Sequence, residues 1–434
     1  MDVDKRFKYW QWRVLLVSAL FYCFVYLGRL NWGLAASDLI RTLHITKADV
    51  GTGVAALLWG YAIGQAVNGR LSDHFGGRCW ATLGAVGTVA VNWAISANTS
   101  APMLFGLLAV NGFFQAMIFP SLLRLTAQWW PSRWRGFQTG FLLAAAGASA
   151  VLAFVVSGWF IAHFGWVSAF RYPPLLILFS ALAYFFLVRE SPEDVGLSPY
   201  IETRKDVAAH EAVNDAELHG LGNYRYLLTQ KLFLAACVMG FISNIGRYGL
   251  LTWIPLYYFQ TSGISVQSAI WAQIGLPIGT ALGPLFAGLI SDRLFGSSRW
   301  QTLALSFAGA AIGLVVLALV PIRTLGIPLT FAVLILAGFF IHGGGGSAHA
   351  LAGDLGGRKM QGTAHGVLDA ANYMGAGGQG IAIGAILDYT NNNWMMVFLI
   401  IGGLLFVGCL MAIGSGRKSG DKTKSRPEIV GTVK

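Results

Sequence analysis

Long apolar runs separated by short polar segments make up most of the chain. Two stretches without a charged residue, 80–123 and 248–291, are more than twice the roughly 20 residues that a membrane-spanning helix needs. Each of them must therefore fold back once. The whole pattern predicts twelve spanning helices, at about 13–36, 50–69, 79–97, 102–124, 137–161, 171–188, 232–256, 267–290, 301–321, 326–350, 361–386 and 394–415.

One long polar stretch, 189–231, interrupts this pattern near the middle of the chain, whereas most other links are short. We therefore expect an all-α integral membrane protein in which twelve transmembrane helices form two pseudo-symmetric six-helix halves. The expected domains are an amino-terminal half, a cytoplasmic linker, a carboxy-terminal half and a basic cytoplasmic tail, at 1–190, 191–230, 231–416 and 417–434.

Composition supports a membrane protein. Hydrophobic residues make up 55% of the chain, charged residues 11%, and the mean hydropathy is +0.60, whereas soluble domains carry about 25% charged residues. The net charge of +11 would suggest nucleic acid as the partner of a soluble protein. Here many cations lie in short loops and tails, so the lipid bilayer is the expected partner and nucleic acid is not.

The distribution of lysine and arginine predicts the orientation. Cations concentrate in the loops that share a side with both termini and the linker, and few lie in the opposite loops. By the positive-inside rule, both termini are predicted to be cytoplasmic in the cell inner membrane. The first apolar run lacks a small-residue cleavage site, so we expect a retained helix and not a signal peptide.

Enzyme signatures are weak. The GxGxxG pattern at 375–380 lacks a strand–turn–helix context, and no GxSxG nucleophile motif accompanies the His-Gly-Gly-Gly segment at 342–345. The four cysteines are scattered without metal-ligand spacing, so free thiols are expected. We therefore expect no enzyme activity, no cofactor and no metal.

Two arginines occupy equivalent places in the two halves. Arg29 follows Gly28 and Arg247 follows Gly246, an offset of 247 − 29 = 218. A Gly-x-x-Ser-Asp signature recurs at 69–73 and 288–292, an offset of 288 − 69 = 219. An arginine at bilayer depth costs roughly 2.5–3.5 kcal/mol on insertion scales, which favours a functional role. The pair suggests a clamp for an anion.

The neighbours of these arginines are polar as well. Tyr22, Tyr26 and Arg29 share one helical stripe, which predicts that they line a cavity. The alternative is that Arg29 snorkels to the interface. Arg247 is flanked by Asn244 and Tyr248. The alternative for Arg247 is that it forms an ion pair with an acidic residue on another span and does not bind a ligand.

The repeated signature predicts gating. Asp73 and Arg78 lie at the predicted cytoplasmic end of the second span, and Asp292 and Arg299 at that of the eighth. Such charges can pair with neighbouring helices and lock one conformation, although solvated loop charge is the simpler explanation.

Other polar residues inside spans are weaker candidates for the cavity, because a lone buried polar residue usually serves packing. They are Gln115, His349, Asn372 and Tyr373. Asp369 is the only acid far inside a span. It could pair with an arginine or with His365, or take part in proton coupling.

Several segments resemble the major facilitator superfamily, and within it the organophosphate:phosphate antiporters, which include glycerol-3-phosphate and hexose-phosphate transporters. Two continuous segments carry the resemblance, GRLSDHFGGR at 69–78 and ESPEDVGLSP at 190–199. In the first half it is also carried by Tyr22, Tyr26 and Arg29 of the first span, and by Phe114, Gln115, Pro120, Arg124, Trp129, Trp130, Arg135 and Gly136 around the fourth. In the second half it is carried by Arg247, Tyr248, Gly249, Trp253 and Pro255 of the seventh span, and by His349, Ala350 and Leu351 at the end of the tenth. The chain departs from that pattern at Leu30, Gln65 and Ala146, where relatives carry Lys, Lys and His.

The resemblance implies a monomer that exchanges a small phosphorylated substrate for inorganic phosphate by alternating access, with both arginines on the phosphate. Two other functions stay open. One is a proton-coupled symporter of organic anions such as carboxylates or sugar acids, and the other is a membrane sensor of phosphorylated sugars.

Overall fold

The structure is a computed structural model that describes residues 3–130, 135–198, 221–261, 273–295, 299–320, 322–356 and 361–424. Helices account for the regular structure in these ranges, which contain no strand. The tail expected at 417–434 and the linker expected at 191–230 fall partly outside these ranges.

The first half begins with a spanning segment that is broken into pieces and continues with longer helices. Its α-helices are α1 (Val3–Tyr22), α2 (Asn31–Leu34), α3 (Ala36–Leu43), α4 (Lys47–Phe75), α5 (Gly77–Ser96), α6 (Ala101–Gln115), α7 (Ile118–Trp129), α8 (Arg135–Leu152), α9 (Gly158–Phe164), α10 (Trp166–Arg171) and α11 (Pro173–Leu187). A 3-10 turn, Val25–Gly28, follows α1, and a π-helical turn, Ala153–Ser157, joins α8 to α9.

The second half has fewer breaks. Its helices are α12 (Leu221–Thr229), α13 (Lys231–Thr261), α14 (Gly275–Phe295), α15 (Arg299–Leu319), α16 (Ile322–Gly356), α17 (Gln361–Tyr389) and α18 (Trp394–Lys424). The backbone of α16 is kinked at Gly326, where φ is +68°.

Nine helical segments of the described chain are long and apolar enough to cross a membrane. They are Asp4–Gly28, Gly77–Ser96, Ala101–Trp129, Gly140–Phe164, Trp166–Leu187, Lys231–Thr261, Arg299–Leu319, Pro328–His349 and Trp394–Gly416. With α4, α14 and α17, which are 29, 21 and 29 residues long, they make up the predicted twelve spans. This is a multi-pass membrane protein.

Two faces of the molecule can be distinguished. At the first, which we call the terminal face, Gln11 in α1 donates a hydrogen bond to the Trp129 carbonyl at the end of α7. The Glu190 carboxylate there accepts from the backbone N–H groups of Gly77 and Arg78, at 2.7 and 2.9 Å, and so caps α5. The other face, which we call the opposite face, contains the start of α4 and the end of α17.

The two halves pack closely along α4 and α17. A Cβ atom on Gly380 would lie 2.5 Å from the Gly51 carbonyl oxygen, so only glycine lets the two helices approach this far. At the opposite face Lys47 pairs with Asp388, at 3.2 Å. Deeper in the protein, the rings of Tyr61 and Tyr373 meet across the same seam. The halves are therefore closed from the opposite face to about the middle of the protein.

Candidate functional site

The first spanning segment is broken just before Arg29. The α-helix ends at Tyr22, and the 3-10 turn follows, so the continuous helix expected over 13–36 is not what the structure shows. Buried asparagines bond the backbone at the break: the Asn111 amide donates to the Gly28 carbonyl at 2.7 Å, and Asn92 lies beside it. Asn31 in turn donates to Asn92, at 2.7 Å. These side chains fix the backbone that carries Arg29.

Arg29 is buried, with 4% of its surface exposed. Its Nε donates to the Gln115 side-chain oxygen at 2.6 Å. Its guanidinium carbon lies 4.7 Å from the Tyr26 ring centre and 4.2 Å from that of Tyr61. Both terminal nitrogens, Nη1 and Nη2, lack a hydrogen-bond partner among the residues that the structure describes. Arg29 thus lies inside the protein and does not snorkel, and the N–H groups of its two terminal nitrogens are unused in the described chain.

Arg247 approaches the same place from the second half. Its guanidinium carbon lies 5.2 Å from the ring centre of Tyr248. A guanidinium N–H group points to the Tyr26 hydroxyl. In the described part of the chain it has no salt bridge, and its Nε is unpartnered. Tyr26 therefore lies between the arginines of the two halves.

Aromatic side chains surround the arginines. Tyr22 stacks on Phe119, with ring centres 5.3 Å apart, and meets the Tyr26 ring edge-on. Tyr373 lies 4.7 Å from Tyr61 and 6.2 Å from Tyr248, measured between ring centres. Tyrosines from both halves therefore form the immediate surroundings of the two cations.

A narrow cavity reaches this place. It is lined by Arg29, Leu30, Trp32, Gly33, Val54, Leu57, Leu58, Tyr248, Leu251 and Thr252. Arg29, Tyr248 and Thr252 are polar members of its lining, and the rest is largely apolar, as in many small-molecule sites.

The remaining predicted cavity residues lie apart from the arginines. His349 pairs with Asp369, and Asn372 donates to the same carboxylate oxygen. The alternative that Asp369 pairs with an arginine is therefore not what the structure shows. Asn244 donates to the Gly240 carbonyl of its own helix, at 3.0 Å. Its side chain is thus engaged locally.

The predicted gating residues are only partly visible. The side chains of Asp73 and Asp292 lie outside what the structure describes. Arg78 interacts within its own half, because its guanidinium donates to the Val188 carbonyl and lies 5.0 Å from the Phe185 ring centre. Arg299 begins α15 and is partly exposed. Their role as gates stays a prediction.

The structure adds residues to the site that were not predicted from the sequence. Tyr61 stacks on Arg29, and Asn92 and Asn111 support its backbone. Lys47 and Asp388 close the seam at the opposite face. Each is a polar group inside or at the end of an apolar run, but its partner is distant in sequence, from 61 − 29 = 32 residues for Tyr61 and Arg29 to 341 for Lys47 and Asp388.

The model of the family described as the Major Facilitator Superfamily matches residues 17–276 and 237–431. The two matches together cover most of the chain, including both arginines. The protein belongs to the Major Facilitator Superfamily. The fold expected from the sequence, twelve helices in two halves, is confirmed by this match and by the solved structures below.

Curated relatives include proteins named for phosphorylated compounds. The chain is 27% identical to the glycerol-3-phosphate transporter of Bacillus subtilis, over 95% of this chain and 92% of the relative. It is 23% identical to a probable hexose phosphate transport protein of Chlamydia pneumoniae, over 98% and 95%. It is also 24% identical to the membrane sensor protein UhpC of Salmonella typhimurium, over 95% and 93%.

Solved structures agree on the fold. A bacterial homologue of the human lysosomal transporter Spinster, in an inward-facing and unoccupied conformation, matches with a TM-score of 0.69 at 14% identity, over 94% of this chain and 96% of that one. A D-xylose–proton symporter also matches with a TM-score of 0.69, at 18% identity, over 93% and 97%. At such low identity these likenesses concern the architecture alone.

Proposed function

We propose that the protein is a secondary active transporter of the inner membrane that exchanges an organophosphate, of the sugar or glycerol phosphate type, for inorganic phosphate. One observation carries this proposal. Arg29 and Arg247 come from different halves, approach each other around Tyr26, and keep unpartnered guanidinium donors. The names of the curated relatives support the choice of a phosphorylated substrate.

The physical argument concerns charge. Two cations removed from water and close together are costly, because each loses hydration and the two repel. A dianionic phosphate offsets both costs, and the planar guanidinium offers paired donors that match its oxygens. An empty site keeps the repulsion, so the halves are less able to close around it. Exchange of one anion for another follows from this asymmetry.

The other site residues take supporting roles in this proposal. Gln115 orients Arg29, while Tyr22, Tyr26 and Tyr248 offer neutral donors beside the phosphate. Asn244, His349, Asn372 and Tyr373 face the organic part of the substrate. Rocking of one half against the other exposes the site to each side in turn. Asp73, Arg78, Asp292 and Arg299 then close the terminal face, which is cytoplasmic, in the outward-facing state of this monomer.

Two other functions are favoured by particular observations. The relative from Salmonella typhimurium is named as a sensor, so a sensor that binds a phosphorylated sugar is one candidate. The His349–Asp369 pair is a partly exposed titratable pair between two spans, which favours a proton-coupled symporter as the other.

Reconstitution separates the three functions. Liposomes loaded with phosphate would be assayed for uptake of radiolabelled phosphate, with unlabelled hexose and glycerol phosphates as competitors. Exchange that requires internal phosphate and is inhibited by one ester supports the antiporter. Uptake that continues without internal phosphate and collapses with an uncoupler supports the symporter. Binding without flux supports the sensor.

A further inference from the structure

A second polar cluster lies in the carboxy-terminal half, away from the two arginines. The His349 Nε2 and Asp369 Oδ1 atoms are 3.0 Å apart, and they join α16 to α17. The two side chains remain 42% and 36% exposed, although both belong to spanning segments. The His365 ring stacks on that of His349, with centres 5.8 Å apart. This polar pair between α16 and α17 is therefore partly accessible.

This cluster is connected to the arginine site along one helix. Tyr373 follows Asp369 by one turn of α17, a rise of about 6 Å. Its ring contacts that of Tyr61, which in turn lies under Arg29. Contacts through Tyr373 and Tyr61 therefore connect Arg29 with the helix turn next to the carboxylate.

The carboxylate retains capacity to accept hydrogen bonds. Within the described ranges, both of its hydrogen bonds, from His349 and Asn372, end on Oδ1. The Oδ2 atom is therefore available. The Asn372 side-chain oxygen is buried against Gly240 of α13, so the carboxylate is the accessible acceptor of this cluster. Carboxylate and amide oxygens accept from hydroxyl groups, and a carboxylate repels a second anion.

We propose that Asp369, oriented by His349 and Asn372, forms a second subsite that binds hydroxyl groups of the organic part of the substrate. This inference rests on the proposed function, because it places the phosphate on the arginines. The subsite selects phosphate monoesters of polyhydroxylated compounds. It disfavours bisphosphates and phosphorylated carboxylic acids, whose second anionic group would lie beside the carboxylate.

A purely structural role makes a different prediction. If the His349–Asp369 pair only holds α16 against α17, its loss weakens the binding of every ligand by a similar factor. A specificity role changes the ranking of ligands, because the carboxylate attracts hydroxyl donors and repels anions. The ratio between two ligands is therefore the informative quantity, and it is insensitive to the fraction of folded protein.

The test measures binding of three probes to purified full-length protein by isothermal titration calorimetry: inorganic phosphate, a hexose monophosphate and a phosphoglycerate. Wild-type protein should bind the hexose monophosphate more tightly than the phosphoglycerate. Asp369→Asn keeps the shape of the side chain but removes its charge, and should reduce that preference by roughly tenfold or more, the value of a charged hydrogen bond. Asp38→Asn, in a surface pair with Arg41, is the matched control and should keep the wild-type ratio.

Three outcomes overturn the subsite. One is an Asp369→Asn ratio equal to that of wild type. Another is a wild-type preference for the phosphoglycerate, which tests the idea even if the variant does not fold. In both cases phosphate binding by the wild-type protein would leave the proposed function standing. If the wild-type protein binds none of the three probes, the proposed function fails and the subsite fails with it.

Discussion

At the level of single residues, Arg29 shows how a buried cation is held without an acid. The Gln115 side-chain oxygen accepts a hydrogen bond from the Arg29 Nε, and the rings of Tyr26 and Tyr61 lie close to the guanidinium carbon. The two terminal nitrogens of Arg29 have no hydrogen-bond partner in the described chain. Lysine in its place keeps the charge but loses the planar fork and the stacking. We expect Arg29→Lys to weaken phosphate binding by about ten- to hundredfold, which corresponds to the loss of one charge-assisted hydrogen bond. The measurement is the half-saturating concentration of phosphate for exchange in liposomes.

The equivalent change at Arg247 should have a similar effect, since the proposed clamp uses both cations. Arg41 is the matched control, because it is exposed and, among the described residues, its ion pair is with Asp38 on the surface. Arg41→Lys should behave as wild type. Wild-type affinity for phosphate in Arg29→Lys would refute the clamp.

Tyr61 offers a second test at this level, because its ring and its hydroxyl have different partners. The ring lies 4.2 Å from the Arg29 guanidinium carbon, whereas the hydroxyl accepts from Gln65 at 2.7 Å. Tyr61→Phe keeps the ring and should change phosphate affinity little. Tyr61→Leu removes the cation–π contact, worth up to about 2 kcal/mol when desolvated, so affinity should fall up to about thirtyfold. Equal effects of the two substitutions would argue against a role for the ring.

The arginines could be predicted from the sequence, but Tyr61 could not. An arginine in an apolar run is expensive in a membrane, so its presence alone indicates a functional or paired group. A tyrosine in a span carries no such signal, since its ring is apolar and its hydroxyl is easily satisfied. The partners of Arg29 come from other spans, and only the packing of helices brings them together.

At the level of elements, the break in the first spanning segment depends on a buried asparagine. The 3-10 turn frees backbone groups, and Asn111 satisfies the Gly28 carbonyl at 2.7 Å. Asn111→Ala leaves that buried carbonyl without this donor, which costs about 1–3 kcal/mol. We expect a lower thermal unfolding midpoint in detergent and weaker phosphate binding, because the backbone of Arg29 moves.

Asn98 is a suitable control for that substitution. Asn98 lies just after α5, and its amide donates to the Ala94 carbonyl in the last turn of that helix. Asn98→Ala should leave phosphate binding unchanged. If Asn111→Ala alters neither stability nor binding, the asparagine does not hold the break.

The break itself was not predictable from hydropathy. Residues 22–34 are mostly apolar, and a helix and a 3-10 turn of the same composition look alike in such a pattern. By contrast, the number of spans and the division into halves followed from lengths of apolar sequence and from one long polar link. Those features depend on the thickness of the bilayer and not on local geometry.

At the level of the whole molecule, the seam between α4 and α17 sets how closely the halves approach. Gly380→Ala places a Cβ against the Gly51 carbonyl oxygen and near Val54. Overpacking of this kind costs about 1–3 kcal/mol and forces the helices apart. Gly378→Ala is the control on the same helix, because a Cβ there meets no described atom within 4 Å. The distribution of spin-label distances across the opposite face should shift to longer distances or broaden in Gly380→Ala only. Identical distributions in both variants would contradict the role of close α4–α17 packing in keeping this face closed.

The ion pair at the opposite face should bias the equilibrium between the two states of the carrier. The Asp388 carboxylate bonds the Lys47 Nζ at 3.2 Å and the backbone N–H of Ala48 at 2.8 Å, so it both pairs with α4 and caps that helix. A partly exposed pair contributes up to about 1 kcal/mol, and a cap about 1 kcal/mol. Both contributions exist only while the opposite face is closed, so their loss should favour the state that is open there.

The two contributions can be separated by substitution. Lys47→Gln removes the charge pair but keeps the cap, because the cap uses backbone N–H groups, whereas Asp388→Ala removes both. We expect the population open at the opposite face to increase in the order wild type, Lys47→Gln, Asp388→Ala, measured by spin-label distances between Thr42→Cys and Asn393→Cys in a background without the four native cysteines. Both label positions are exposed near that face. If Asp388→Ala keeps the wild-type distance distribution, the pair is a surface contact and the seam of α4 and α17 alone keeps this face closed.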